Sequence, residues 1–352
     1  MKRILLICLA VLLVLAIPVS IALWWPVPAR YHGEPSDHFD GKHFFNPEGF
    51  SQHSFWDVMK WLVRRHPAPW PVWRSQTLQP QLPAALSHQD ISVTFINHAT
   101  TLIQMEGWNV LTDPMWSKRA SPFSWMGPKR VQAPGIAFDQ LPPIHTVLIS
   151  HNHYDHMDED TIKHLEEKFH PLFIVPLGDR DRLISFGVKQ LIQLDWWQTM
   201  EIKPHVFVTM TPAKHFSARW LNDRNLSLWG GYILSHFHKK IFFAGDTGYA
   251  SHFQKIYEKF GEMDVALLPI GAYKPREFLS AAHMDPAESV KAHKDLHAKQ
   301  SLGIHFGTFQ LTEEAIDAPI EDLQKALRAA GIDSKRFIAP QAGRTYSFAK
   351  GG

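Results

Sequence analysis

Cysteine is almost absent from this chain, with Cys8 as the single example in 352 residues. A disulfide framework within the chain is therefore excluded, and a bound metal would need histidine and carboxylate ligands rather than thiolates. A surplus of one charge is also lacking, because 36 Lys and Arg residues stand against 34 Asp and Glu residues. This balance gives no electrostatic reason to expect nucleic acid as a partner. Histidine, by contrast, is abundant at 22 residues and favours metal chemistry.

A long apolar run lies at the N-terminus. Lys2 and Arg3 precede an uncharged stretch from Ile4 to Trp25, which is long enough to cross a bilayer core of about 30 Å as a helix. The preceding basic residues favour a cytoplasmic N-terminus. We therefore expect residues 1–25 to be a membrane anchor that leaves the rest facing the periplasm if the source is bacterial. Pro18 and the small residues near position 20 leave open a cleaved signal peptide, and the protein would then be exported.

Residues 26–90 are rich in Pro, Trp and His and show little periodicity beyond a possible short helix at 55–65. We expect an irregular extension that packs on the main domain. The tryptophans scattered along the chain are expected to be mostly core residues. A membrane-facing patch is the alternative for four of them, Trp56, Trp61, Trp70 and Trp73.

Residues 91–350 alternate strand patterns with helix patterns and are expected to form the catalytic domain. Strands are predicted near 91–96, 101–105, 108–111, 147–150, 172–175, 206–210, 228–234, 240–244, 265–269 and 301–304. Helices are predicted near 159–169, 179–186, 251–260, 286–297 and 319–330. This alternation favours an α/β fold in which two packed sheets carry helices on their outer faces.

The run HNHYDH at positions 151–156 follows the apolar stretch 146–150, which reads as a buried strand. Four of its six residues are of metal-ligand type: His151, His153, Asp155 and His156. Loops held at strand ends are a frequent location for catalytic groups. The same arrangement recurs after three later strands, where the candidates are His215, Asp246 and His305. One such residue is more often a turn or core residue, but together they predict a metal site.

Seven candidate ligands exceed the four that a tetrahedral zinc ion accepts, so two metal ions are predicted. Two ions roughly 3.5–4 Å apart can activate water and stabilise an oxyanion. Asp246 is the best candidate to bridge them, because a carboxylate can bind one metal through each oxygen and an imidazole cannot. We expect two Zn²⁺ ions, with iron or manganese as alternatives, since His and Asp ligands accept all three.

Several segments carry a resemblance to a known family. They include LTDPMWSKRASPFSWMGPKR at 111–130, LPPIHTVLISHNHYDHMD at 141–158, TPAKHFSARW at 211–220, FFAGDTGY at 242–249 and HMDPAESV at 283–290. With the metal motif, they make the chain resemble the metallo-β-lactamase superfamily and, more closely, its N-acylphosphatidylethanolamine-hydrolysing phospholipase D family. The resemblance implies an αβ/βα sandwich with two mixed β-sheets flanked by helices.

The resemblance also implies roles for individual residues. One zinc would be bound by His151, His153 and His215, the other by Asp155, His156 and His305, and Asp246 would serve both. His283 would touch the substrate phosphate, with a solvent-facing histidine at a helix start as the alternative. Independently of the resemblance, we expect Asp155 or Asp246 to accept a proton during catalysis.

Four further residues carry weaker signals. Tyr273 and Arg276 could meet an anionic head group, or Arg276 could be an ordinary surface residue. His98 lies in a predicted hairpin turn and is expected to be structural, although it could face the site. Asp113, before Pro114, is expected to form a turn.

The expected function is phospholipase D-type cleavage of N-acylphosphatidylethanolamine at a membrane, giving N-acylethanolamine and phosphatidate. One alternative is a lactonase or other carboxylic-ester hydrolase of the same superfamily. The other is a non-catalytic envelope binding protein, against which the complete ligand set argues.

Overall fold

The computed structural model describes residues 30–50, 55–75, 80, 82–83, 90–220 and 222–348. The predicted anchor or signal peptide at 1–25 lies outside these residues, so it stays a prediction. Within the described ranges, none of the helices combines the length and apolar character needed to cross a bilayer. The boundary at residue 90 between extension and catalytic domain likewise stays a prediction.

The described chain contains fourteen strands in two seven-stranded sheets. In chain order they are β1 (Ile91–Asn97), β2 (Thr100–Met105), β3 (Trp108–Thr112), β4 (Thr146–Leu148), β5 (Leu172–Pro176), β6 (Leu191–Leu194), β7 (Thr199–Lys203), β8 (Val206–Thr211), β9 (Gly231–His236), β10 (Lys239–Phe243), β11 (Val265–Pro269), β12 (Gln300–Ile304), β13 (Phe337–Ile338) and β14 (Thr345–Phe348). The first sheet has the order β14-β1-β2-β3-β4-β5-β6 and the second β13-β12-β11-β10-β9-β8-β7.

The helices of the described chain are α1 (Phe55–Arg64), α2 (Glu159–Phe169), α3 (Arg180–Ser185), α4 (His252–Phe260), α5 (Arg276–Leu279), α6 (Pro286–Asp295) and α7 (Ala318–Ala330). A 3₁₀ turn occupies Phe138–Gln140. Helix α6 has a full capping box, in which the Asp285 side chain accepts from the Glu288 backbone N–H and Glu288 accepts from that of Asp285. This cap sets where the helix begins, three residues after His283.

Each sheet combines antiparallel and parallel pairs. Strands β3 to β6 are parallel, as are β10 to β13, while the remaining neighbours are antiparallel. Helices connect most of the parallel strands, as crossover geometry requires. Parallel strands have their carboxyl ends at one edge of the sheet. The loops that follow β4, β10 and β12 therefore begin at such edges.

The core lies mainly between the two sheets, where one apolar cluster unites inward-facing residues of both. A second cluster fills the space between the first sheet and its helices α2 and α3. Strand alternation explains the division, because successive side chains point to opposite faces. In β4, Val147 belongs to the helix-facing cluster and Leu148 to the cluster between the sheets. The predicted sandwich of two mixed sheets with flanking helices is confirmed.

Four strands were not predicted from the sequence: β6, β7, β13 and β14. Strand β7 lies at the edge of its sheet and is partly exposed, so its residues Thr199–Lys203 lack a clear apolar pattern. Strand β14 depends on pairing with β1, more than 240 residues earlier, in a register that places Phe348 opposite Ile91. Strand β9 begins at Gly231 rather than near 228, and β4 ends at Leu148 rather than at 150.

The described parts of the 26–90 extension lie against the two-sheet domain. Phe39 and Phe44 are buried in the core between the sheets, and the Phe44 backbone N–H donates to the carbonyl of Asn225. Trp61 and Trp70 each donate from Nε1 to the 313–314 segment. Trp56 and Trp73 are exposed instead, so the expectation that these tryptophans would be mostly core is wrong for this pair. Packing in the core therefore does not explain why tryptophan occupies these two positions.

Candidate metal centre

The loop after β4 turns back on itself to bring its histidines together. Backbone N–H groups of His156 and Met157 both donate to the carbonyl of His153, which closes the turn ahead of α2. His151 Nε2 then lies 2.8 Å from His153 Nδ1. A regular strand or helix could not direct all four ligand-type side chains of the 151–156 run at one site, whereas a tight turn can.

A first cluster consists of His151, His153 and His215, whose ligand atoms lie within 4.8 Å of one another. His215 comes from the loop after β8 and places Nε2 3.3 Å from His153 Nδ1. Its other ring nitrogen, Nδ1, donates to the carbonyl of Ala282 at 3.0 Å. That bond directs Nε2 into the cluster, which is how proteins commonly orient a metal-binding imidazole.

A second cluster consists of His98, Asp155, His156 and His305, again with ligand atoms within 4.8 Å. Asp155 Oδ2 lies 3.4 Å from Nε2 of both His156 and His305. His305 directly follows β12 and has a positive φ of 62°. This cluster therefore combines side chains from both sheets.

Asp246 lies between the two clusters. Its Oδ2 is 3.2 Å from His156 Nε2 and 3.0 Å from His305 Nε2, and it is 3.9 Å from His215 Nε2. The residue follows β10 after Gly245, whose φ of 60° makes the turn. A Cβ at Gly245 would lie 2.5 Å from the Ser150 Cβ, so this close approach requires glycine.

Several of these buried atoms have no hydrogen-bond partner within the described chain, namely His156 Nε2, Asp246 Oδ1, His283 Nδ1 and His305 Nε2. Buried polar atoms are normally hydrogen-bonded. Here nitrogen and oxygen atoms converge at 3.0–3.4 Å without suitable hydrogen-bond directions. Converging lone pairs are the arrangement that divalent cations bind, so the residues present fit a metal centre.

Burial and neighbouring charges shift the pKa values of the candidate histidine ligands in opposite directions in the two clusters. Burial lowers the pKa of His151 and His215 well below the ordinary value and that of His153 to about 4. Burial opposes charge at His305 too, but the carboxylates of Asp246 and Asp155 outweigh it and raise the pKa of His305 to about 9. Metal ligation requires neutral imidazole, so cation binding in the second cluster would release protons.

Asp113 supports the cluster from behind. Its carboxylate accepts hydrogen bonds from Ser150 N at 2.7 Å, from Ser150 Oγ at 2.6 Å and from His156 Nδ1 at 2.6 Å. The prediction that Asp113 forms a turn agrees with its φ of 34° but missed this second role. Asp113 follows the apolar strand β3, and an acidic residue after an apolar strand was the same signal that identified Asp246.

Comparison with known proteins agrees with this arrangement. Residues 108–306 match the family model described as the beta-lactamase superfamily domain. The chain belongs to the metallo-β-lactamase superfamily. The predicted superfamily is confirmed, and the converging His and Asp clusters agree with a metal-dependent hydrolase of this class.

Two relatives of this superfamily member are named for one activity. This chain is 34% identical over 272 residues to N-acyl-phosphatidylethanolamine-hydrolyzing phospholipase D 1 of Caenorhabditis elegans. The alignment covers 74% of this chain and 76% of that protein. This chain is also 36% identical over 261 residues to the mitochondrial N-acyl-phosphatidylethanolamine-hydrolyzing phospholipase D of Saccharomyces cerevisiae. That alignment covers 72% of this chain and 55% of that protein. The predicted resemblance to this branch is therefore confirmed.

A solved structure supports the fold. A metallo hydrolase from Ignicoccus hospitalis KIN4/I aligns with 75% of this chain and all of its own, with a TM-score of 0.57 and 21% identity. At this identity the likeness concerns the metallo-β-lactamase fold alone.

His98 orients a carboxylate in this metallo-β-lactamase site. Its Nε2 lies 2.9 Å from Asp155 Oδ2, and its backbone N–H donates to Thr308 Oγ1 at 3.0 Å. The ring is buried against His305, with centroids 4.0 Å apart. These contacts support the expected structural role, and they also place His98 inside the site.

His283 lies at the border of the site. Its Nδ1 is 3.8 Å from Asp246 Oδ2, and its ring stands edge-on to His215 with centroids 5.2 Å apart. Burial lowers the pKa of His283 to about 4, so the imidazole is neutral at pH 7. The alternative of a solvent-facing helix-start histidine does not fit this position.

Tyr273 and Arg276 have protein partners. The Tyr273 hydroxyl donates to Asp322 at 2.7 Å. The Arg276 guanidinium donates to Glu288 at 2.6 Å and to the carbonyl of His283 at 2.9 Å. These contacts support a structural role, with Arg276 holding the His283 loop. Their contact with a head group stays a prediction.

Arg219 fastens the ligand loop and was missed by sequence reasoning. Its Nη1 donates to the carbonyls of Asn152 at 3.0 Å and Met157 at 2.6 Å, and its guanidinium lies 3.9 Å from the ring centre of Tyr154. An arginine four residues after His215 gives no local sign that it reaches another loop. Only the segment resemblance at 211–220 included it.

Proposed function

We propose that this chain is a dinuclear metal-dependent phosphodiesterase that cleaves N-acylphosphatidylethanolamine into N-acylethanolamine and phosphatidate. The observation that carries the proposal is the position of Asp246, whose Oδ2 lies within 3.9 Å of ring nitrogens from both clusters. A shared carboxylate is suited to two adjacent cations. The choice of substrate is supported by the names of the Caenorhabditis elegans and Saccharomyces cerevisiae relatives.

The ligands divide into two sets around that carboxylate. One metal would be held by His151, His153 and His215, the other by Asp155, His156 and His305, and Asp246 would contribute to both. The chemistry of the ligands admits zinc, iron or manganese. When bound, two such ions lower the pKa of water and neutralise negative charge on a phosphoryl group.

The protein side chains supply proton transfer and orientation. Hydrolysis adds water to phosphorus and breaks the bond between phosphorus and the oxygen of the N-acylethanolamine. Asp155 and Asp246 are carboxylates of the site, and either could accept the proton of the attacking water. His283 is neutral and lies beside Asp246, so it can donate a hydrogen bond to a phosphoryl oxygen or to the leaving oxygen.

Mass spectrometry of the products tests the proposal. Purified, zinc-loaded protein is incubated with N-acylphosphatidylethanolamine in mixed micelles and, in parallel, with a panel of lactones. We expect N-acylethanolamine and phosphatidate from the lipid, abolished by Asp246→Asn. The exposed His238 lies at the distant β9–β10 turn, so His238→Ala is the matched control and is expected to retain activity. Lactone opening without lipid cleavage would overturn the proposed substrate, and equal activity of wild type and Asp246→Asn would overturn the metal mechanism.

His283→Ala separates the two bond types. If His283 contacts the phosphoryl group, its loss should lower phosphodiester cleavage by about 10²-fold or more. Lactone opening should fall much less, because that reaction has no phosphoryl oxygen to bind. A uniform reduction with both substrates would assign His283 a structural role.

A further inference from the structure

Exposed apolar side chains are concentrated in two segments of the described chain. Twelve large apolar residues are exposed in all, and eight of them fall within 55–75 and 116–131. We call these eight the apolar rim: Trp56, Met59, Val63, Val72, Trp73, Phe123, Trp125 and Met126. A concentration of exposed apolar side chains of this kind marks an interaction site rather than ordinary surface variation.

Helix α1 presents its apolar side outward. Trp56, Met59 and Val63 share one helical face and are exposed, with 70% of Trp56 and 81% of Val63 accessible. Trp61 is directed at the protein instead, where its Nε1 donates to Glu313 and its ring stacks on Phe278. A helix on a globular protein normally faces solvent with polar residues. Apolar residues outward, with basic residues between them, are typical of helices that lie in a membrane interface.

The second segment is a loop with an ordered base. The backbones of Arg119 and Lys129 form an isolated antiparallel β-bridge, and the Ala120 N–H donates to the carbonyl of Pro128 at 3.0 Å. Below them, the buried guanidinium of Arg130 donates to the carbonyls of Ser117 and Met115. Phe123, Trp125 and Met126 lie between these paired ends and are exposed. The base therefore fixes the position of the exposed tip relative to the domain.

Both segments border the proposed metal centre. Trp61 stacks on Phe278 of helix α5, and the His283 N–H donates to the carbonyl of Leu279 at the end of that helix. On the other side, Arg130 lies over the ring of Phe309, which contacts His98 edge-on at 5.4 Å. The Arg74 N–H donates to the carbonyl of Val131 and joins the two segments. The two segments that carry the apolar rim thus contact residues that surround the site.

The charge of these segments selects the partner. Within 55–75 and 116–131 the basic residues are Lys60, Arg64, Arg65, Arg74, Lys118, Arg119, Lys129 and Arg130, whereas Asp57 is the single acidic residue. Arg74 is paired with Asp317, Arg130 is buried, Arg119 donates to the carbonyl of Gly127 and Arg65 lies over the Trp61 ring. Four basic residues are left for other partners: Lys60, Arg64, Lys118 and Lys129. Apolar side chains flanked by cations complement the headgroups and upper acyl chains of an anionic bilayer.

We propose that the apolar rim docks on an anionic lipid bilayer and turns the metal centre toward the headgroup layer. The inference deepens the proposed function, on which it rests for its choice of a lipid rather than a protein partner. A phosphodiester of a bilayer lipid lies at the headgroup level. Docking at that level would bring the scissile bond to the site without extracting the lipid completely.

Site-specific fluorescence tests this orientation on the full chain. In a Cys8→Ser background, a nitrobenzoxadiazole label is attached to Val63→Cys, Trp125→Cys or, as the matched control, Phe237→Cys. Phe237 is 45% exposed but lies in the β9–β10 turn, at the opposite end of β10 from Asp246. Each variant is reconstituted in vesicles of equimolar phosphatidylcholine and phosphatidylglycerol that carry a headgroup-level spin-label quencher. Any attachment through the N-terminus is shared by all three variants, so differences between them report orientation.

An apolar helix face in the interface enters about 5–10 Å into the headgroup region, so the labels at 63 and 125 should be quenched severalfold more than the label at 237. Replacing phosphatidylglycerol with phosphatidylcholine, or adding salt, should weaken that quenching. Equal quenching at all three positions overturns the inference. So does a label at 125 that is shielded from aqueous iodide yet not reached by the lipid quencher, because that result indicates a protein partner. The proposed function is tested separately by its products, so cleavage of the lipid without preferential quenching refutes the docking surface alone.

Discussion

His156 donates a hydrogen bond of 2.6 Å from Nδ1 to Oδ2 of Asp113, and both side chains are fully buried. The bond assigns the proton of His156 to Nδ1 and turns the lone pair of Nε2 toward Asp246, 3.2 Å away. A carboxylate behind an imidazole fixes both the tautomer and the ring orientation of a metal ligand. The position of His156 therefore depends on a residue that precedes it by 43 positions.

Asp113→Asn tests this dependence. The amide retains the shape of the side chain but removes the charge that orients His156, so metal affinity should fall by about 10- to 100-fold. Chelator titration followed by elemental analysis measures the change. Asp139→Asn is the matched control, because the Asp139 side chain is almost fully exposed and distant from the clusters. Unchanged affinity in Asp113→Asn, with the fold intact by circular dichroism, would show that the bond is dispensable.

Arg219→Ala should destabilise the protein. The substitution removes two charge-assisted hydrogen bonds, to the carbonyls of Asn152 and Met157, and leaves both carbonyls buried. We expect a loss of about 3 kcal/mol in the free energy of unfolding, measured in urea. Arg180→Ala, at an exposed position of helix α3, should change it by less than about 0.5 kcal/mol. Similar stability of the two variants would contradict the role of Arg219 in fastening the ligand loop.

Gly245→Ala should displace Asp246. A Cβ at this position would lie 2.5 Å from the Ser150 Cβ, and the φ of 60° adds backbone strain of about 1–2 kcal/mol. Ser150 precedes His151, so relief of the clash would move residues of both clusters and reduce bound metal. Gly187→Ala is the matched control, because its φ is also positive but open space surrounds it. If metal content and stability of the two variants fall equally, strain alone explains the effect.

The attachment of the extension should weaken at alkaline pH. His38 is buried between Asp37, 2.6 Å from Nδ1, and Asp195, 2.7 Å from Nε2. Burial alone would lower the pKa of His38, but the two carboxylates outweigh it and raise the pKa above 6.5. Because the folded state favours the charged form, this stabilisation is complete below about pH 6.5 and is lost as pH rises through the raised pKa.

Limited proteolysis of residues 30–50 across that pH range measures the effect. Cleavage in wild type should accelerate as pH rises, whereas His38→Gln should be cleaved faster at low pH and show little further change. His43→Gln is a suitable control, since His43 belongs to the same segment. A wild-type cleavage rate that does not depend on pH, after correction for the protease, would contradict the prediction.

Much of the site could be predicted from local sequence patterns. His215, Asp246 and His305 each follow a strongly apolar strand, and the structure places all three beside the HNHYDH loop. Buried strands are recognisable because their apolar runs are continuous. Residues that follow them within a few positions lie where the ends of neighbouring strands meet. Edge strands such as β7 lack that pattern and were missed.

Supporting residues were harder to predict, because their partners are distant in sequence. Arg219 reaches the carbonyl of Asn152, 67 residues earlier, and Tyr273 donates to Asp322, 49 residues later. Neither side chain differs locally from an ordinary surface residue. The exposed Trp56 and the inward-facing Trp61 are likewise indistinguishable by composition, although a spacing of five positions on a helix with 3.6 residues per turn places them on different faces.

The sequence by itself determined which side chains are available for metal binding and at which strand ends they lie. Their residue types and the apolar strands before them are local properties. Only the tertiary structure decided that Asp246 contacts both clusters, that Asp113 orients His156 and that the apolar rim borders the site. Those relationships join residues from different loops and, for the site, from both sheets. Their distances are set by how the two sheets pack, which local patterns do not encode.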